Sequence, residues 1–171
     1  LDELAAHPEK AAGTEHTSIG VSLPRVAWDR EREALLRDME KCRELGATQA
    51  LIGSYGLIEP ARALGYTLRG DYGLPVFNAQ ALKEYKRLGL QSATLSFELK
   101  LAQIRDLSKC LDTELITYGR LPLMLMENCV IANSLGCCDV GSDYRKRSAA
   151  CRCGQENVLT DRTGARFPLM P

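Results

Sequence analysis

Hydrophobic and polar positions along the chain follow two alternating patterns, one typical of short strands and the other of amphipathic helices. The predicted strands are apolar or β-branched runs at residues 17–23, 49–53, 66–69, 92–97 and 114–118. The predicted helices repeat apolar residues every three or four positions and cover residues 30–45, 59–64, 79–88 and 99–111. Strands that alternate with helices in this way predict parallel βα units, and therefore an α/β fold.

Five strands and four intervening helices suit two architectures. One is a small doubly wound sheet, and the other is a little over half of a (β/α)8 barrel. In either case the pattern predicts one parallel sheet in the order of the chain, with right-handed crossovers. The alternation stops near residue 119. We therefore expect a polar N-terminal lead-in, a partial α/β barrel and a cysteine-rich metal-binding segment, at residues 1–16, 17–119 and 120–171.

Both ends of the sequence lack terminating signals, which indicates a fragment of a longer protein. A partial barrel leaves a strand edge with unpaired N–H and C=O groups. Such an edge associates readily with other strands, so we expect the fragment to self-associate.

The overall charge of the chain is balanced, with 22 basic and 22 acidic residues among 171. Bulk charge therefore indicates neither nucleic acid nor an anionic membrane as a partner. No apolar run is long enough to span a bilayer, and the N-terminal residues show no signal-peptide pattern. The chain has seven cysteines, and this odd number fits a reducing compartment, so we expect a cytoplasmic location.

Candidate binding residues follow the predicted strands, because ligands in parallel α/β folds bind beyond the carboxyl ends of strands. These positions combine arginines with acidic groups, tyrosines and hydroxyls. The predicted substrate-binding residues are Arg69, Asp71, Asn78, Glu98, Tyr118 and Arg120, of which Asn78 is also the predicted cap of helix 79–88. Arginines beside hydroxyl groups suit a small anionic ligand, because guanidinium binds planar oxyanions bidentately. The alternative for Arg69 is a surface ion pair.

Histidine is absent from the predicted strand ends, since His7 and His16 both precede the first strand. The sequence therefore predicts no Ser–His or Cys–His nucleophilic pair in this segment. It also contains neither a dinucleotide-binding glycine fingerprint nor a phosphate-binding loop motif. A conventional hydrolase is disfavoured, and no catalytic residue is assigned.

Thiols are concentrated near the C-terminus, at Cys129, Cys137, Cys138, Cys151 and Cys153. Thiolates gathered in this way suit zinc or an iron–sulfur cluster. The spacing matches no zinc-finger template, and adjacent cysteines seldom bind the same ion, so one of Cys137 and Cys138 is expected to be a spectator. The remaining two cysteines, Cys42 and Cys110, lie singly in helical patterns and are predicted to be core residues.

The segment Tyr118–Met124, YGRLPLM, is followed by Glu127, Asn128 and Cys129, and it resembles the collagenase-like peptidase family. Further matching segments lie at residues 68–71, 76–78, 95–99 and 159–168, so the resemblance covers about residues 45–171. Phe97 stands where the family's pattern has a proline.

The resemblance implies a TIM-like barrel of which this chain holds the later strands. It also implies a 4Fe–4S cluster near the barrel mouth, held by Cys129, Cys138, Cys151 and Cys153. Cys138 is preferred to Cys137 because the family's usual step from the first cysteine is nine residues. Relatives are associated with oxygen-independent hydroxylation of pyrimidines in transfer or ribosomal RNA, or of a quinone precursor, and some of them with prephenate as cosubstrate.

The function that these features predict is part of an iron–sulfur-dependent enzyme that hydroxylates an RNA pyrimidine base. Local basic residues near the cysteines are candidates for phosphate contacts, namely Arg145, Lys146, Arg147, Arg152, Arg162 and Arg166. One alternative is a peptidase that acts on collagen-like substrates, as the family name says. Another is a non-catalytic domain with a structural zinc ion that binds a partner.

Overall fold

The computed structural model describes residues 18–126, 129–135 and 155–169. The chain divides between Gly119 and Arg120 into two units, which are described separately below. In the first unit the strands are β1 (Gly20–Ser22), β2 (Gln49–Ile52), β3 (Thr67–Gly70), β4 (Leu90–Thr94) and β5 (Asp112–Glu114). Its helices are α1 (Arg32–Glu44), α2 (Ile58–Ala63), α3 (Ala79–Arg87) and α4 (Leu101–Asp106). Short 3-10 helices at Asp29–Glu31 and Tyr55–Leu57 lead into α1 and α2.

The five strands of the first unit form one parallel sheet in the order β1-β2-β3-β4-β5. The predicted parallel sheet in chain order is therefore confirmed. Crossovers of βαβ units are generally right-handed, and crossovers of one hand that always advance in the same direction place all the helices on one face of the sheet. This is the arrangement in an arc of a barrel, whereas a doubly wound sheet reverses direction at a switch point. The fold is therefore α/β and compatible with a partial TIM-like barrel.

The hydrophobic core lies between the helices and one face of this sheet. It takes alternate residues of the strands, since successive side chains in a strand point to opposite faces. The strand members are Ala50, Ile52, Leu68, Leu90 and Ala93, and the helix members are Met39, Ile58, Ala61, Leu82 and Tyr85. Cys42 and Cys110, which were predicted to be core residues, are only half-buried and pack against this core, and Cys110 follows α4 instead of lying in a helix.

In the structure, strand β4 begins earlier and helix α4 ends earlier than the sequence pattern predicts. Gly89 adopts a φ of 94°, which closes α3, and β4 starts immediately afterwards at Leu90 rather than at residue 92. Helix α4 ends at Asp106 rather than near residue 111. The Lys109 ammonium donates to the carbonyls of Ile104 and Leu107 at 2.6 and 3.2 Å, which satisfies acceptors at the end of that helix.

The early end of α4 also moves the last strand of the sheet. Strand β5 covers Asp112–Glu114, so the prediction of a strand at residues 114–118 was wrong in its bounds. Residues 115–118 belong instead to the loop that follows β5. As a result Glu114 is the last residue of a strand, at the carboxyl edge of the sheet.

The second unit contains helix α5 (Val130–Leu135) and an antiparallel hairpin of β6 (Asn157–Thr160) and β7 (Arg166–Leu169). Asp161 organises the hairpin turn, because its carboxylate accepts hydrogen bonds from the backbone N–H groups of Thr163 and Ala165 at 2.8 and 2.9 Å. The lead-in at residues 1–16 and the cysteines at 137, 138, 151 and 153 lie outside the described residues. None of the helices in the described ranges has the length and apolar character that crossing a membrane requires.

Candidate functional site

The sheet face opposite the helices carries a row of polar side chains. Strand pairing places Arg69 beside Ser92, and Thr94 beside Glu114. In a closed barrel this face lines the interior, which bulky branched residues usually fill. The polar residues on this face are Ser22, Gln49, Thr67, Arg69, Ser92, Thr94, Asp112 and Glu114. Thr94 and Glu114 are the last residues of their strands, at the edge where ligands bind in parallel α/β folds, whereas Gln49 and Thr67 are the first residues of β2 and β3.

A β-bulge gives Ser92 its place on the polar face. Leu68 pairs with Leu90 but Arg69 pairs with Ser92, so Gln91 is an extra residue in β4. Regular alternation would put Leu90 and Ser92 on the same face of the sheet. With the extra residue, Leu90 joins the core while Ser92 turns to the opposite face. Bulges beside active sites often re-aim a side chain in this way.

The Glu114 carboxylate is held through only one of its two oxygens. Oε1 accepts from Ser92 Oγ at 2.7 Å, from Arg69 Nη2 at 2.5 Å and from Arg69 Nε at 3.2 Å. Arg69 is itself anchored, since its Nη1 donates to Gln49 Oε1 at 3.1 Å. None of the described residues donates to Oε2, and every buried side-chain N or O atom among them has a partner, so Oε2 is accessible. Glu114 therefore has an oriented carboxylate with one acceptor oxygen that the described residues leave available.

The surroundings of Glu114 keep its carboxyl group ionised. Burial acts to raise its pKa, but the hydrogen bonds from Ser92 and Arg69, together with the Arg69 charge, outweigh burial and lower the pKa below 4.5. The side chains of Arg69 and Glu114 are 41% and 37% exposed, so water screens the ion pair and limits its contribution to stability. The ion pair therefore contributes little to the stability of the fold, and its main effect is to orient the Glu114 carboxylate.

An arginine–aromatic cluster lies in the loops beyond the carboxyl ends of the strands. The Arg25 guanidinium carbon is 4.8 Å from the centre of the Tyr72 ring, within the range of a cation–π contact. The Tyr72 and Phe97 ring centres are 6.2 Å apart at an interplanar angle of 64°, which is an edge-to-face arrangement. These residues follow β1, β3 and β4, and the contacts tie three loops together.

Two glycines make room for the Arg25 side chain. A Cβ atom at Gly53 would lie 2.5 Å from Arg25 Cγ, and one at Gly73 would lie 3.0 Å from Arg25 Cδ. The same atom at Gly73 would also lie 2.5 Å from the Gly53 carbonyl oxygen. The aliphatic part of Arg25 therefore crosses a surface that only glycine leaves open, and this path brings the guanidinium onto Tyr72.

The family model of Peptidase family U32 matches residues 2–158 of the chain. The chain belongs to this family. The resemblance to the collagenase-like peptidases is thereby confirmed. No curated protein and no solved structure matches the chain. Membership of family U32 suggests an enzyme, without specifying its reaction.

The predicted binding residues of this U32 chain are spread over several loops and strands. Arg69 lies within β3 and forms the ion pair with Glu114, and Asp71 follows β3, where its side chain accepts from the Tyr72 backbone N–H at 2.8 Å. Asn78 caps α3 by accepting from the backbone N–H groups of Gln80 and Ala81 at 3.0 and 2.9 Å.

The other three predicted binding residues lie further along the chain. Glu98 is exposed in the loop after β4, and Tyr118 is 97% exposed in the loop after β5. Arg120 belongs to the second unit. Within the first unit, the structure places Arg69 in a side-chain network and the other four outside it, and a binding role for all six residues stays a prediction.

Sequence reasoning missed Glu114 and Arg25. The sequence pattern predicts Glu114 as the first residue of a strand, whereas it is the last residue of β5, and no apolar run marks this three-residue strand. Arg25 follows β1 and Pro24, and the pair of glycines at 53 and 73 is the only signal in the sequence that an arginine passes between these loops.

Of the cysteines predicted to bind metal in this U32 chain, Cys129 alone falls within the described ranges. It is half-buried just before α5, and its Sγ accepts a hydrogen bond from the Ala132 backbone N–H at 3.4 Å. Hydrogen bonds of this type to a ligand sulfur tune the potential of an iron–sulfur cluster. The predicted set of four thiolates has the chemistry that either a 4Fe–4S cluster or zinc requires, and both assignments stay predictions. The described residues contain no group of three metal-binding side chains.

Proposed function

We propose that this U32 chain is part of an iron–sulfur-dependent enzyme that hydroxylates a pyrimidine base in transfer or ribosomal RNA. The observation that carries the proposal is the oriented carboxylate of Glu114, whose Oε2 faces no donor among the described residues. A carboxylate oxygen accepts well from the amino group of cytosine, and a uracil ring N–H is an equivalent donor. Its place at the carboxyl edge of a parallel sheet is where substrates bind in related folds.

Arg69 has donors left for a small anionic cosubstrate. Its guanidinium has five N–H groups, and three of them serve Glu114 and Gln49. The remaining donors suit a carboxylate of an organic acid such as prephenate. In this proposal Glu114 orients the base and Arg69 the cosubstrate, so that the two reactants are held side by side on the same sheet face.

The reaction balances as an exchange between base and cosubstrate. A ring C–H of the pyrimidine is replaced by C–OH, which is a two-electron oxidation of the base. The cosubstrate, a hydroxylated organic acid of the prephenate class, loses its hydroxyl group and gains the hydrogen, which is a two-electron reduction. A 4Fe–4S cluster, when bound by Cys129, Cys138, Cys151 and Cys153, supplies electron-transfer chemistry.

RNA contacts in the proposal come partly from basic residues of the second unit. Arg162 and Arg166 are exposed in the hairpin turn and at the start of β7. Arginines in such positions contact phosphate oxygens without reading the sequence. The thiolates of the proposed cluster require a reducing compartment, so the proposal includes a cytoplasmic location. It also includes self-association of this segment through an open strand edge.

An analysis of the modified nucleosides in cellular RNA tests the proposed function. Transfer and ribosomal RNA from cells that lack the gene is digested and compared by mass spectrometry with RNA from the same cells complemented with the full-length protein. We expect a pyrimidine nucleoside with one extra oxygen atom to be absent from the first sample and restored in the second. Identical nucleoside compositions would contradict the proposal. Cleavage of a collagen-like peptide by the purified protein, without any RNA change, would instead favour the peptidase.

A further inference from the structure

In the described first unit, the exposed aromatic residues all lie in segments that follow the carboxyl ends of strands. Each strand of the first unit is followed, in the loop or short 3-10 helix beyond its carboxyl end, by an aromatic residue that is exposed to solvent. These residues are Trp28, Tyr55, Phe77, Phe97 and Tyr118. In the rest of the described first unit, Tyr66 and Tyr85 are only 5% and 8% exposed. Exposed aromatics gathered at one edge indicate a binding surface.

Phe97 is the member of this set that the structure orients. It is 51% exposed, and its ring meets the Tyr72 ring edge-to-face. Tyr72 is held in turn by the Arg25 guanidinium over its ring, and Arg25 by the path across Gly53 and Gly73. The backbone N–H of Ser96, next to Phe97, also donates to the Val76 carbonyl at 3.1 Å. The Phe97 ring is therefore half exposed to solvent and is oriented by its contact with Tyr72.

We propose that Phe97, supported by Tyr72 and Arg25, is the surface on which an unpaired pyrimidine of the RNA substrate stacks. This inference rests on the proposed function and adds to it the residue that receives the base. Enzymes that modify a base must take it out of its helix or act on a single strand, and an aromatic ring replaces the lost stacking. The zero net charge of the chain makes such a contact more important, because long-range attraction of phosphates is weak.

The position of Phe97 relative to Glu114 favours a base over a proline-rich peptide. The Leu95 backbone N–H donates to the Glu114 carbonyl at 2.9 Å, so the loop that carries Phe97 begins beside Glu114. A pyrimidine has both a flat face for the ring and N–H donors at its edge for the Oε2 acceptor. Proline-rich helices also dock on aromatic surfaces, but a proline residue has no N–H to offer to a carboxylate. Phe97 stands where the family's pattern has proline, so this chain supplies a ring at that position.

Binding of a short single-stranded oligouridine to the full-length protein tests the inference. Fluorescence anisotropy gives the dissociation constant for the wild type and for two matched pairs of variants. Phe97→Leu and Tyr72→Leu remove a ring at similar volume, whereas Phe97→Tyr and Tyr72→Phe keep it. We expect Phe97→Leu to weaken binding about tenfold, as the loss of one base-stacking contact does, and Phe97→Tyr to bind within about twofold of the wild type. Tyr72→Leu is expected to weaken binding less, because its ring acts through Phe97.

Several results would overturn the inference. One is that Phe97→Leu binds oligouridine as tightly as the wild type while its melting temperature is unchanged. Another is that the wild type does not bind oligouridine at all. The third is that the protein binds a collagen-like peptide and that this binding depends on Phe97. The comparison of RNA nucleosides from cells with and without the gene separates a failure of the stacking site from a failure of the proposed function. If the hydroxylated nucleoside depends on the gene but Phe97→Leu restores it fully and binds RNA normally, the stacking site is wrong and the enzyme assignment stands.

Discussion

Arg69 Nη2 lies 2.5 Å from Glu114 Oε1, although the two residues are on β3 and β5 with β4 between them. Two such strands are separated by roughly 10 Å, twice the spacing between neighbouring strands. The arginine can cover this distance because the residue beneath it on β4 is the small Ser92, which donates to the same oxygen. The three side chains thus form one unit, whose proposed purpose is to direct Glu114 Oε2 toward a ligand.

Replacement of the carboxylate tests that purpose. Glu114→Gln keeps the shape of the side chain but removes its charge, so the Arg69 guanidinium loses its ionic partner. We expect the free energy of unfolding, measured by urea denaturation, to fall by at most about 1 kcal/mol, because water screens the pair. Production of the hydroxylated nucleoside should fall far more, since the oriented acceptor is lost. As a control, Glu84→Gln removes an exposed ion pair with Arg87 on α3 and should leave the nucleoside unchanged.

The pH dependence of stability follows from the same carboxylate. The pKa of Glu114 is lower in the folded protein than its ordinary value of 4.5, so its charge adds stability above that value. This contribution is lost as the pH falls from 4.5 through the folded pKa. The difference in unfolding free energy between the wild type and Glu114→Gln should therefore be constant at neutral pH and shrink in acid. A difference that grows as the pH falls would contradict the direction of this shift.

A methyl group at Gly73 should disturb the support of Phe97. The added Cβ would lie 2.5 Å from the Gly53 carbonyl oxygen and 3.0 Å from Arg25 Cδ. We expect Gly73→Ala to lower the unfolding free energy by roughly 1–3 kcal/mol, because both loops must move. Gly56→Ala is the matched control, since a Cβ there meets nothing within 4 Å. Equal stability of the two variants would show that Arg25 is not held as described.

Asn78 combines a known local role with a predicted binding role, and two substitutions separate them. Asn78→Ala removes the acceptor for the backbone N–H groups of Gln80 and Ala81 and should cost about 1 kcal/mol of unfolding free energy. Asn78→Asp keeps that acceptor and should preserve stability. If Asn78 also binds the anionic substrate, Asn78→Asp will lose activity through charge repulsion. Full activity of Asn78→Asp would limit Asn78 to its role as a helix cap.

The fold was more predictable from sequence than the site. Alternating apolar strands and amphipathic helices closed by residues such as Gly89 are local signals, and they were sufficient for the parallel order of the sheet. The bounds of β5 were not predictable, because Asp112–Glu114 has no apolar residue and is recognisable only by its pairing with β4. Ser92 likewise reaches Glu114 through a bulge, which depends on the neighbouring strand.

Reconstitution of the reaction with purified components is the most direct test of the central claim. The full-length protein, prepared without oxygen, is incubated with RNA from cells that lack the gene and with prephenate, and the nucleosides are analysed by mass spectrometry. We expect a hydroxylated pyrimidine that requires both the protein and the cosubstrate. Cys129→Ser should lose bound iron and product together, whereas Cys42→Ser, which changes a thiol packed against the core, should keep both. Iron-free protein of full activity, or no hydroxylated nucleoside with iron-loaded protein, would contradict the claim.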